Sequence, residues 1–99
     1  MKTYESCLAA LADPTRRSVF ELLADGPRAV GEVAAHVPVS RPAVSQHLRV
    51  LKEAGLVVDR AEGTRRVYAV DPDALGELRA YGEGFWVKAL AGFKHAVEK

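Results

Sequence analysis

The chain has 99 residues, 48% hydrophobic and 27% charged, which suits one small globular domain. Its net charge of +1 carries no message by itself, but residues 40–70 hold six basic and three acidic groups, and both flanks are net acidic. No run approaches the ~20 apolar residues of a membrane span, the first residues lack the apolar core of a signal peptide, and a single cysteine, Cys7, excludes an intrachain disulfide. A cytoplasmic protein is the expectation, with no membrane partner.

Tyr4, Leu8 and Leu11 fall at i, i+4 and i+7, the spacing of a short N-terminal helix. Asp13-Pro14 restarts a helix, with Asp13 as N-cap and Pro14 as the first helical residue. Val19, Leu22 and Leu23 form its buried face, and Gly26-Pro27 ends it. Arg16 and Arg17 lie in its first turn, where the helix dipole disfavours cations. A carboxylate is the expected compensation, ahead of a DNA phosphate. A third helix is expected over residues 30–37, with Val30, Val33, Ala34 and Val37 on one side and Pro38 closing it.

Ser40 then caps a fourth helix, Pro42 sits in its first turn, and Gly55 stops it. Val44, Leu48 and Leu51 make a buried stripe. The opposite face holds Pro42, Ser45, Gln46, Arg49 and Glu53. It is small and polar at its start and basic one turn later, which suits entry into a DNA major groove. Two helices joined by a tight link, the second capped and polar-faced, read as a helix-turn-helix.

After Gly55 the period changes. Residues 56–60 and 66–70 are rich in β-branched and aromatic side chains, and residues 61–65 contain the glycine of a hairpin loop. Arg60, Arg65 and Arg66 cluster there. Charges are usual at hairpin tips, yet a hairpin directly after such a helix reads as the wing of a winged helix, whose arginines reach phosphates or the minor groove. Asp71-Pro72-Asp73 opens the last helix, along which Leu75, Leu78, Phe85, Trp86, Ala89, Leu90, Phe93 and Val97 recur. Gly76, Gly82, Gly84 and Gly92 interrupt it, and the sequence leaves open whether the helix continues through Gly82 and Gly84 or is kinked or broken there. The apolar surface of the first and last helices exceeds what so small a middle can cover. Tyr4, Leu8, Leu11, Phe85, Trp86, Leu90 and Phe93 are therefore expected to form a homodimer interface, beyond the part that covers the domain's own back.

The run from Leu11-Ala12-Asp13-Pro14-Thr15-Arg16-Arg17, through Val44-Ser45-Gln46-His47-Leu48, to Leu51-Lys52-Glu53-Ala54-Gly55-Leu56-Val57 resembles the ArsR (arsenic-repressor-like) family. The resemblance implies a homodimeric winged-helix transcriptional regulator, usually a repressor. It also implies that Arg41, Pro42, Ser45 and Gln46 stand at the family's base- and phosphate-contacting positions, although Pro42 departs from the polar residue often found there. The full candidate DNA-contacting set is Ser40, Arg41, Pro42, Ser45, Gln46, Arg49, Arg65 and Arg66, on double-stranded DNA carrying an inverted repeat. The fold class expected is mostly α with a small β-hairpin, all 99 residues forming a single winged helix-turn-helix domain with terminal dimerisation helices.

A second departure concerns metal. Many relatives carry Cys-x-Cys in the third helix, where this chain has no thiol, and others carry Asp-x-His, which is also missing. Only His95 and Glu98 match the later half of such a site. The chain therefore resembles the metal-independent subset, with no cofactor expected and the effector unidentified. His47 reads as a half-buried, hydrogen-bonded histidine, His36 and His95 as helix-end histidines, and Cys7 as a small apolar filler. No catalytic triad, phosphate loop or carboxylate pair is recognisable, so an enzyme is not expected. The alternatives are a metal or redox sensor using Cys7 or His95 on the same scaffold, and a winged helix used only for protein interaction.

Overall fold

Capping chemistry sets the two helices at the centre of the molecule. In the computed structural model, which describes residues 4–98, α1 (Tyr4–Leu11) is followed by α2 (Pro14–Ala24). Asp13 Oδ1 accepts the Arg16 N–H at 2.9 Å to start α2, and Gly26, at φ +143°, turns the chain out of it. Next come β1 (Arg28–Ala29), α3 (Val30–Ala34) and α4 (Arg41–Glu53). Ser40 Oγ accepts the Ala43 N–H at 3.3 Å at the start of α4. At its end the Leu56 N–H reaches the Leu51 carbonyl, and the Gly55 N–H reaches that of Lys52. This is a Schellman closure, and the φ of +85° at Gly55 is the left-handed conformation it needs.

β2 (Val57–Glu62) and β3 (Arg65–Val70) form the hairpin, joined through Gly63 and Thr64. Val57 pairs with Val70, and Glu62 with Arg65. β1 adds a third antiparallel strand on the other side of β3, pairing Arg28 with Tyr68 and Ala29 with Val67. Nothing in the expected elements included β1. Two residues have no periodicity, and this strand exists only because β3 presents an edge to it.

The core lies where α2, α3, α4 and the hairpin meet. Leu48, Leu51, Leu56, Val19, Val33 and Val44 are sealed from solvent there. Burial of a leucine or valine side chain is worth ~1.5–3 kcal/mol, so these six carry much of the stability of a domain this small.

One expectation is corrected and two open points are settled. α3 stops at Ala34, short of residue 37, with its last turn tightened to a His36 N–H bond on the Val33 carbonyl. Pro38 explains this, because it supplies no N–H and disfavours helical backbone at the residue before it. Residues 35–40 thus link the two helices. α1 buries Cys7 and Ala10, whereas Leu8 stays 46% exposed and Leu11 half-buried. The small side chains let α1 approach α4, with the Cys7 thiol 3.6 Å from the Ala54 carbonyl. The side chain of Tyr4 lies outside the described part. Finally, α5 (Pro72–Glu98) runs as one helix of 27 residues through all four glycines. Only its beginning packs on the domain, through Ala74 and Leu78, and the molecule is 62 Å long as a result. Among the described residues no helix is long and apolar enough to cross a membrane.

Candidate nucleic-acid interface

α4 is held by its buried stripe, and that orients the opposite face outward. Ser40, Arg41, Pro42, Ser45, Gln46 and Arg49 are all exposed. Arg49 Nε lies 3.1 Å from Glu53 Oε1, a pair between two largely exposed side chains. Such a pair is worth well under ~1 kcal/mol and yields readily to a phosphate. Arg41 rests on α3, where a Cβ at Gly31 would lie 3.5 Å from its Nη1. Among the described residues, Arg41 is the one cation of α4 with no carboxylate partner.

The wing is less freely basic than its composition suggests. Arg65 Nη1 lies 3.2 Å from Glu32 Oε1 in α3, and Arg65 Nη2 lies 3.9 Å from Glu62. Arg60 pairs with Glu62 at 3.1 Å. Arg66 Nη1 lies 3.1 Å from Asp59 Oδ2, while Lys52 Nζ from α4 lies 2.7 Å from Asp59 Oδ1. The hydrogen bond from Lys52 and the two adjacent positive charges hold the Asp59 carboxyl below its ordinary range. Glu32 is lowered too, chiefly because its carboxylate accepts the Ala29 N–H at 2.9 Å.

Sequence reasoning missed Glu32, Lys52 and Asp59. Glu32 and Arg65 are far apart in the chain, and no local pattern announces that they meet. The hairpin register was the one available signal, since it sets Asp59 on the strand neighbouring Arg66.

Arg16 and Arg17 were expected to find a carboxylate. Instead Arg16 Nη1 donates to the Ala10 carbonyl at 3.2 Å, and Arg17 Nη1 to that of Leu11 at 3.1 Å. The last carbonyls of α1 have no partners within their own helix, and they form its negative end. Two guanidinium groups satisfy them and fasten α1 to α2. Asp13 adds its charge, and its carboxyl is lowered, first by the Arg16 N–H and then by the nearby Arg16 and His47.

The remaining candidates are spread across the molecule. His47 is half-buried as expected, but its Nδ1 has no hydrogen-bond partner. His36 is exposed, with Nδ1 2.9 Å from the Glu32 carbonyl. His95 is exposed in the last turn of α5. Cys7 is buried, and desolvation together with the charge of Glu77 pushes its thiol pKa up, away from the reactive thiolate. Among the described residues no three His, Cys, Asp or Glu side chains gather as a metal site would require.

Of the expected apolar interface, Leu8, Phe85, Trp86, Leu90 and Phe93 lie on the surface. Phe85 is 62% exposed and Trp86 65%. Val87 and Val97 of α5 are exposed as well.

Residues 11–60 match a family model described as a helix-turn-helix domain. The chain is 55% identical over 101 residues to the HTH-type transcriptional regulator Rv2034 of Mycobacterium tuberculosis, covering 99% of this chain and 94% of that one. A crystal structure of a possible transcriptional regulator for arsenical resistance superposes with a TM-score of 0.74 at 47% identity, covering 90% of this chain and 93% of the other. The homodimeric winged helix-turn-helix DNA-binding domain of Mb0332 from Mycobacterium bovis, a possible ArsR-family regulator, superposes with a TM-score of 0.68 at 32% identity. That match covers 90% of this chain and 78% of the other.

Proposed function

The chain belongs to the ArsR-like family of winged helix-turn-helix transcriptional regulators, and we propose that it is a homodimeric repressor of an inverted-repeat operator. The observation that carries this reading is the two-sided character of α4. One face is wholly buried in the core, and the other presents Ser45 and Gln46 to solvent on a capped, rigid helix. Small polar side chains at the start of such a helix come close enough to base edges to read them. Ser40, Arg41, Pro42 and Arg49 surround them and hold the helix to phosphates. Arg65 and Arg66 extend the contact from the wing. Repression follows from occupancy, because a dimer covering promoter DNA excludes other proteins from it.

The dimer forms through α1 and α5, with Leu8, Leu11, Phe85, Trp86, Leu90 and Phe93 at its centre. The protein works in the cytoplasm, catalyses nothing, and requires no metal. His95 and Glu98 share a helical face, but two ligands make a weak site at an exposed helix end.

The test is fluorescence anisotropy with the DNA upstream of the protein's own gene and a shuffled duplex of the same composition, across a salt series. The upstream duplex is expected to bind at least ~10-fold tighter, with affinity falling steeply as salt rises. Affinity at fixed ionic strength is expected to be the same with chelator as with micromolar zinc, nickel or cobalt. Equal binding of both duplexes at every salt concentration overturns sequence-specific recognition. A tenfold response to metal that His95→Ala abolishes overturns the metal independence.

A further inference from the structure

Asp59 differs from the other acidic partners in the wing. Its side chain is only 6% exposed, whereas Glu32, Glu53 and Glu62 are about half exposed or more. It also holds two cations from different elements, Lys52 at the end of α4 and Arg66 on β3. A carboxylate taken out of water in this way is held firmly by its partners, because losing either one leaves a poorly compensated charge. The exposed pairs around it make and break freely.

Each cation keeps donors to spare. An ammonium has three N–H groups and a guanidinium five, and the structure commits one of each to Asp59. Asp59 therefore orients Lys52 and Arg66 without consuming them. Together the three groups present one net positive charge in place of two, at a fixed position relative to the recognition face of α4.

We infer that Asp59 is a positioning residue for operator recognition: it ties the wing to α4 through Lys52 and Arg66, restrains binding to random DNA, and so raises the preference for the operator. Phosphate contacts carry no sequence information of their own but set the register in which the base contacts are made. Two cations clamped to one carboxylate meet phosphates in one register. Two free, flexible cations meet phosphates in many registers, on any duplex. The inference rests on the DNA-binding reading of α4.

Asp59→Asn in the 99-residue chain tests it, since asparagine keeps the shape and removes the charge. On the upstream and shuffled duplexes, the slope of log affinity against log salt is expected to steepen by up to ~1 unit. Affinity for the shuffled duplex rises more than that for the upstream duplex, so the preference drops about threefold or more. A purely structural role lowers the melting temperature and weakens both duplexes in parallel without steepening the slope, and that result overturns the inference.

The double variant Lys52→Met with Asp59→Asn restores the wild-type net charge and leaves no unpaired buried carboxylate. Its salt slope is expected to match wild type while the preference still falls. An unchanged preference in this double variant also overturns the inference. A wild-type chain that fails to distinguish the two duplexes counts against the DNA reading itself. A wild-type chain that does distinguish them, with variants that keep its preference, counts against Asp59 alone.

Discussion

Gln46 and Leu48 are two residues apart in one helix and face opposite surroundings. Leu48 is sealed in the core and Gln46 stands in solvent, so truncating each has a different consequence. Leu48→Ala leaves a cavity, at ~2–5 kcal/mol of stability, and spoils everything downstream. Gln46→Ala removes no packing, so fold and melting temperature are expected to hold. If Gln46 reads a base, the variant loses ~1–3 kcal/mol on the upstream duplex and clearly less on a shuffled one. Anisotropy titrations on both duplexes decide it, and an equal loss on the two demotes Gln46 to a backbone contact. At this scale the helical period made the outward face of α4 legible, because the buried stripe and the exposed side chains alternate along one continuous segment. What it could not reveal is the environment of Asp59. The shielding and double pairing of that carboxylate arise where the end of a helix meets a hairpin, and beyond the hairpin register nothing in the local sequence records the meeting.

Elements with chemical punctuation or a clear period were readable in the sequence, and the one with neither was not. Asp13-Pro14 and Ser40 mark the starts of α2 and α4, and Gly55 marks the end of α4, each by a hydrogen bond or dihedral found in the structure. β1 carries no such mark. Helix α5 carries ambiguous ones. Its glycines leave continuity open in the sequence, and in the structure each keeps helical backbone, at up to ~1 kcal/mol relative to alanine. The helix persists because composition lowers propensity without removing any backbone hydrogen bond, as proline would.

The wing is the element whose role depends most on tertiary pairing. Arg65 and Arg66 each have a carboxylate partner, but both side chains remain about half exposed, with donors free for phosphate. Changing both to alanine removes two positive charges, and the salt slope is expected to flatten by up to ~2 units on both duplexes. An unchanged slope takes the wing out of the DNA interface.

At the scale of the whole molecule, the imbalance between core and surface points to a second chain. Among the described residues none of α5 beyond Leu78 packs against the core, and Phe85, Trp86, Val87, Phe93 and Val97 are each more than 60% exposed. A lone protein rarely leaves so many large apolar side chains of one helix in water, and a 27-residue helix with four glycines gains little from propensity alone. Pairing of two such helices about a twofold axis, with Leu8 of α1 alongside, would bury this surface on both chains at once. It would also set two copies of α4 to meet successive major grooves, about 34–36 Å apart, on an inverted repeat. Trp86 is the largest side chain on that face, and its removal is expected to weaken dimerisation by ~2 kcal/mol or more. Operator affinity should fall with it, because each half-site then binds without the help of the other. Sedimentation of Trp86→Ala beside wild type, at matched concentrations and with circular dichroism to follow folding, separates dissociation from unfolding. Should the monomer be only marginally stable, the variant loses helix as it dissociates, and its melting temperature then depends on concentration. A wild-type chain that sediments as a folded monomer at micromolar concentration overturns the dimer, and with it the twofold operator.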